Sequence, residues 1–270
     1  MSKNKKKIKI NMVILVVILF VAIVGLILYF TLNGKKLDTN STQINELYSY
    51  LGSNDLEVCN GLSIYSEKEI NYDNIDNNIR ICNAYSLLDI DETSIVKIDK
   101  TKKNNTCSIN ENIKFATDNY EDDICTITKI ESEKINEQYK KMYGKEIENY
   151  EQFQLNPTTI CYYDEEGYYY CGLSESFTYT IGAEPQTYRT IKKATKKDDE
   201  IIIFDYFMKV INNECFTTYD GDNKNNNCSN IFNEDTNVDY DFLKKYGTLY
   251  KHTFKESNGS YYWVKSEPVK

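Results

Sequence analysis

The chain has 270 residues, with 32 basic side chains, 41 acidic ones and a single histidine, for a formal net charge of −9. All the acids and all but five of the basic residues lie in residues 33–270, which therefore carry a net −14. A surface that negative on average repels phosphate backbones and anionic lipid, which argues against nucleic-acid binding and leaves neutral or cationic partners such as glycans and basic peptides.

Residues 1–11 form a basic tail with Lys3, Lys5, Lys6, Lys7 and Lys9. Residues 12–32 are an unbroken apolar run without a charge. A helix needs about 20 residues to cross a bilayer core, so this run is expected to be a transmembrane signal anchor. Five lysines precede it and only Lys35 and Lys36 follow closely, which predicts a cytoplasmic amino terminus and an extracytoplasmic body. The run is longer than a signal-peptide core and no Ala-x-Ala site follows it, so cleavage is not expected.

Residues 33–41 read as a polar linker and residues 42–270 as the exterior body, with a subdomain boundary expected near 145–157. A helix is predicted after Ser41 or Thr42, with Ile44, Leu47 and Leu51 on one face, and a second over Asp76–Leu88. Short strands are expected around Ile95–Ile98 and Ile113–Ala116. Ser132–Tyr143 has an apolar stripe of Ile135, Tyr139, Met142 and Tyr143, basic residues in its last turn and Gly144 behind it, which predicts a helix.

From Thr158 the pattern changes to strands. Thr158–Tyr163 and Tyr168–Leu173 flank Glu165-Glu166-Gly167, a three-residue hairpin loop with glycine at its left-handed position. That register sets Cys161 directly against Cys171. Strands follow over Ser176–Ile181, Thr187–Thr195 and Glu200–Val210, then a polar loop from Asn212 to Asn237 and a short helix over Asp239–Tyr246. The final strands, Thr248–Glu256 and Ser260–Glu267, are joined by the turn signal Asn258-Gly259. Helices first and antiparallel strands later predict an α+β body, with a cystatin-like or NTF2-like shape.

All eight cysteines follow the apolar run. An even number on the exterior side predicts disulfides in an oxidising compartment. Cys161–Cys171 follows from the hairpin register. Cys59–Cys82, Cys107–Cys125 and Cys215–Cys228 are the pairs that close the shortest loops. No Cys-x-x-Cys is present and histidine is scarce, so no metal site is expected. Asp220–Asn227 looks like a calcium loop but places Lys224, Asn225 and Ile231 where ligand, glycine and glutamate belong.

His252 is the one histidine available to any mechanism. The Asn258-Gly259 turn sets Phe254 opposite Trp263 and His252 opposite Lys265, and places Tyr250, His252, Phe254, Tyr261 and Trp263 on one face. A histidine on an aromatic face can act as an acid or base, but no nucleophile motif stands near it. A hydrogen-bonded, partly buried sheet histidine is the favoured reading. Glu165 and Glu166, adjacent at a turn tip, are read as solvated. No catalytic residue and no cofactor is assigned. The chain's 24 tyrosines crowd the first hairpin, where Tyr162 and Tyr170 are candidate binding residues. Tyr250, His252, Tyr261 and Trp263 are the other candidates.

The anchor, the Asn-, Lys-, Ile- and Tyr-rich composition and the Tyr-Tyr-Trp-Val-Lys-Ser-Glu-Pro ending resemble signal-anchored exterior proteins of AT-rich Gram-positive bacteria. That resemblance implies no particular activity. The expected function is a membrane-anchored exterior domain that binds an envelope glycan, peptide or protein partner. The alternatives are an envelope hydrolase using carboxylates or His252, and a purely structural ectodomain. Binding is favoured over catalysis.

Overall fold

The computed structural model describes residues 34–52, 59, 61–99, 106–117, 124–175, 185–233 and 235–269, together with Ile18 and Val21. Among them no helix is long and apolar enough to cross a membrane. The apolar run 12–32 lies outside the described residues apart from Ile18 and Val21, and so does the strand expected over Ser176–Ile181.

Three antiparallel sheets organise the body. The largest has the order β1–β10–β11–β13–β14–β2, with β12 also pairing to β11. These strands are β1 (Lys35–Leu37), β2 (Ile70–Asn71), β10 (Gln186–Lys197), β11 (Glu200–Ile211), β12 (Glu214–Phe216), β13 (Thr248–Ser257) and β14 (Ser260–Pro268). A five-stranded sheet runs in the order β3 (Ile95–Asp99), β6 (Ile124–Glu131), β9 (Tyr168–Leu173), β8 (Thr159–Tyr163) and β7 (Phe153–Gln154). The third is the hairpin of β4 (Thr106–Ser108) and β5 (Lys114–Ala116).

The described helices are short: α1 (Thr42–Ser49), α2 (Asn77–Ser86), α3 (Ser132–Tyr143), α4 (Asn226–Ser229) and α5 (Tyr240–Tyr246). This overturns the α+β expectation, and with it the cystatin-like or NTF2-like shape: the protein is mainly β, with few helices. The predicted helices form, but strands are not confined to the later half. β6 buries Cys125, Ile127 and Ile130 and belongs to the five-stranded sheet, while β1 and β2 join strands more than a hundred residues later. Residues 35–37, expected as linker, are an edge strand.

Local chemistry sets the element ends. The Ser41 hydroxyl accepts the Ile44 N–H at 3.4 Å and starts α1. The Asp239 carboxylate accepts the Phe242 N–H at 2.9 Å and starts α5. Gly144 closes α3 at φ 67°, and the Asn258-Gly259 turn has φ 53° and 82°, the left-handed geometry a two-residue hairpin needs.

The main core lies between the inner face of the large sheet, helices α1–α3 and one face of the five-stranded sheet. Ile44, Ile81, Ile135, Tyr139, Ile203, Phe207 and Phe254 are all fully buried there. The other face of the smaller sheet packs on the β4–β5 hairpin around Phe115. A third cluster, with Met208, Cys215, Cys228 and Leu243, covers one end of the large sheet's outer face beneath α4 and α5.

Four disulfides join Cys59–Cys82, Cys107–Cys125, Cys161–Cys171 and Cys215–Cys228. Cys161 and Cys171 are directly opposed in the β8–β9 ladder with Cα atoms 4.0 Å apart. A body stapled in this way belongs to an oxidising, extracellular or secreted setting.

Candidate functional site

The inner face of the large sheet is apolar except at one place. Along β11, residues Ile201, Ile203, Asp205 and Phe207 point inward, so a carboxylate sits in the core with no exposure. Along β13, Tyr250, His252 and Phe254 point the same way and are equally buried. Asp205 pairs with Tyr250, and His252 pairs with Ile203, so Asp205 and His252 are diagonal neighbours across the ladder. His252 Nε2 lies 2.8 Å from Asp205 Oδ1.

A bulge brings the third member. From the turn to Phe254–Trp263 the β13–β14 register is the expected one, but it then slips by one residue at Val264. His252 therefore faces Ser266 rather than Lys265, which corrects the sequence-based pairing. His252 Nδ1 lies 2.6 Å from Ser266 Oγ, and the Trp263 indole N–H donates to the same oxygen at 3.0 Å.

Two tyrosines complete the carboxylate's shell. Tyr48 of α1 and Tyr65 donate their hydroxyls to Asp205 Oδ2 at 2.7 and 2.6 Å. Arg189 of β10 lies 3.5 Å from the Tyr65 hydroxyl, binds the carbonyls of Leu51 and Gly52, and stands over the Tyr48 ring at 4.7 Å. One anion and one cation are thus buried together, linked through tyrosine hydroxyls.

Donor and acceptor counting orients the chain. Indole N–H is donor only, so Ser266 accepts from Trp263 and donates its own proton to His252 Nδ1. His252 then carries its proton on Nε2 and donates to Asp205, which is acceptor only. Every polar atom in the line then has a partner. Burial by itself raises the Asp205 carboxyl. The adjoining His252 and the hydrogen bonds from His252, Tyr65 and Tyr48 outweigh that and hold it below the ordinary carboxylate range. Burial, then the neighbouring Asp205 charge, pushes the Tyr48 and Tyr65 hydroxyls well up, keeping them protonated donors.

A depressed folded-state carboxyl gives a signed pH dependence. Its contribution to stability is full above the unfolded value of about 4 and is lost as pH falls through the lower folded value. Unfolding titrations should show a decline below about pH 4, and Asp205→Asn should remove part of it. An unchanged decline in the variant would assign acid sensitivity to other carboxylates.

The order Asp–His–Ser resembles a hydrolytic relay, but the geometry does not serve one. In a working triad the carboxylate holds Nδ1 and the nucleophile contacts Nε2, whereas here the two nitrogens are exchanged. Ser266 is 0% exposed, and its oxygen is held from both sides by His252 and Trp263. The arrangement can order a core; it offers no face to a carbonyl.

Of the candidate binding residues, the structure brings Tyr250, His252 and Trp263 into this buried cluster. Tyr261 lies at its edge, buried, with its hydroxyl donated to Glu256 at 2.7 Å. Tyr162 and Tyr170 stand apart on the smaller sheet, with the Tyr162 ring 5.6 Å from Phe115. Glu165 and Glu166 are exposed at their turn. Sequence reasoning missed Tyr48, Tyr65, Arg189, Asp205 and Ser266. Asp205 did leave a signal, as a charge inside the apolar run Ile201–Met208.

A second feature opens to solvent. Between the carboxy-terminal half of α3 and the final hairpin lies a groove of about 360 Å³, lined by Glu137, Lys141, Ser257, Asn258, Tyr261 and Tyr262 among others. Tyr262 lies flat on Gly144, where a Cβ would come within 2.9 Å of its ring.

No protein-family model, no curated protein and no solved structure matches this chain.

Proposed function

We propose that the protein is a membrane-tethered, extracytoplasmic binding domain, held by residues 12–32 with its amino terminus in the cytoplasm, and that its ligand is an envelope glycan. The reading extends the resemblance to signal-anchored exterior proteins of AT-rich Gram-positive bacteria. The observation that carries it is a contrast. The Asp205–His252–Ser266 cluster is sealed, while the groove beside the final hairpin is open and of ligand-pocket size. A half-buried tyrosine face beside a side-chain amide, hydroxyls and a carboxylate suits sugar rings and their hydroxyls. The four disulfides support a rigid recognition surface outside the reducing cytoplasm.

The test is co-sedimentation of the full chain, in mild detergent, with insoluble envelope glycan. Binding should weaken about tenfold or more in Tyr262→Ala, the loss of one stacked ring. Glu137→Gln should also weaken it. Binding unaffected by both substitutions would remove the groove from the account. Release of soluble glycan fragments by the wild-type chain would favour a hydrolase.

A further inference from the structure

Ladder register fixes which side chains stand on the outer face of the large sheet. Thr195 pairs with Lys36 and with Ile202, and Ile202 pairs with Thr253. Lys193 pairs with Phe204, and Phe204 with Lys251. Lys197 pairs with Glu200, and Glu200 with Lys255. Directly paired residues share a face, and this is the face opposite Ala194, Ile203 and His252.

The part of that face nearest β1 is basic. Lys36, Lys193 and Lys197 are exposed there, as is Lys192 at the β10 bulge, whose Nζ stands over the outer-face Tyr206 ring at 5.4 Å, and none of the four makes an ion pair among the described residues. Lys251, Lys255 and Lys265 stand further across and pair with Glu267, Asp199 and Glu69. Half-buried Ile202 and Phe204 lie among them, with Lys193 Nζ 4.4 Å from the Phe204 ring. Residues 33–270 are strongly acidic overall, so the lysines are segregated against the average charge.

The position of this face is set by the chain entering it. Only residues 33 and 34 separate the end of the apolar run at Leu32 from β1 at Lys35. Three residue steps span at most about 10 Å. That is about one Debye length in physiological salt, and little more than the depth of a headgroup layer. Gly34 removes remaining slack: at φ 68° its Cα sits so close to β10 that a Cβ would meet the Lys196 carbonyl oxygen at 2.7 Å.

We infer that the β1–β10 side of the large sheet docks on the bilayer that holds the anchor, with Lys36, Lys192, Lys193 and Lys197 on its phosphate-bearing anionic headgroups. The body is then a platform resting on the membrane rather than a head on a flexible stalk, and the Tyr262 groove, beside β14 at the side of the sheet remote from β1, is left away from the docked edge. This rests on the proposal that residues 12–32 span the bilayer.

The test reconstitutes the full chain into vesicles of neutral phosphatidylcholine, or of phosphatidylcholine with phosphatidylglycerol, and compares lysine acetylation by peptide mass spectrometry. Acetylation of the four lysines should fall about threefold or more in the anionic vesicles, as expected for basic groups held at an anionic surface. Exposed Lys97 and Lys134 should not change, and 0.5 M salt should restore labelling. Reversing Lys36, Lys193 and Lys197 to glutamate should abolish the protection of Lys192. A chain that floats with both vesicles but is labelled equally in each retains its span and loses the docking. A chain that does not float overturns the spanning proposal and the docking together. Protection by soluble polyphosphate without protection by anionic vesicles would reassign the face to a soluble polyanion and overturn the lipid docking.

Discussion

Asp205→Ala is expected to destabilise the body by about 3–5 kcal/mol, the cost of breaking a buried ionic network by removing one partner. The substitution strands three buried donors at once: the His252 Nε2–H and the hydroxyls of Tyr48 and Tyr65. It also leaves the Arg189 guanidinium in the core without the anion that Tyr65 relays to it. Asp205→Asn keeps the shape and one acceptor oxygen and should cost less, about 1–3 kcal/mol, as a neutral hydrogen-bond mismatch. Denaturant unfolding of the full chain in mild detergent, followed by near-ultraviolet circular dichroism, ranks the three proteins. Equal stability of wild type and Asp205→Ala would mean the carboxylate is not the hub described here.

Trp263→Ala should cost a similar amount, about 3–5 kcal/mol, because it opens a large cavity in a packed core. The ring is 3% exposed, pairs across the hairpin with Phe254 and meets Tyr143 of α3 edge-on at 6.2 Å. It therefore ties the final hairpin to the helical layer. Trp263→Phe separates packing from hydrogen bonding. It retains most of the contact but withdraws the N–H from Ser266, so it should lose only about 1–2 kcal/mol. A Phe variant as unstable as the Ala variant would shift the weight from packing to the Ser266 hydrogen bond.

Features set by neighbours in sequence were readable in advance. The Asn258-Gly259 turn, the Cys161–Cys171 pairing, the α3 helix and the shared face of Tyr250, His252, Phe254, Tyr261 and Trp263 all depend on residues close along the chain. The Val264 bulge was not readable, because slipping one residue at a time is decided by what Ser266 and Trp263 meet in the core. For the same reason Asp205 and His252, 47 residues apart, could not be joined on paper. The α+β expectation failed at β1 and β2, segments of three and two residues whose strand character comes from partners more than a hundred residues away, and at β6, an eight-residue strand the sequence reading passed over. Net charge misled in another way: an average over the body hid the sorting of lysines onto one sheet face.

Asp205, His252 and Ser266 form a sealed network, which we read as structural, and the proposed binding function is left to the surface. The direct measurement treats the native full chain with a fluorophosphonate that modifies activated serines, then maps adducts by mass spectrometry. No adduct on Ser266 is expected while the protein is folded. Stoichiometric modification of Ser266, lost in His252→Ala, would contradict it and make the network a catalytic centre.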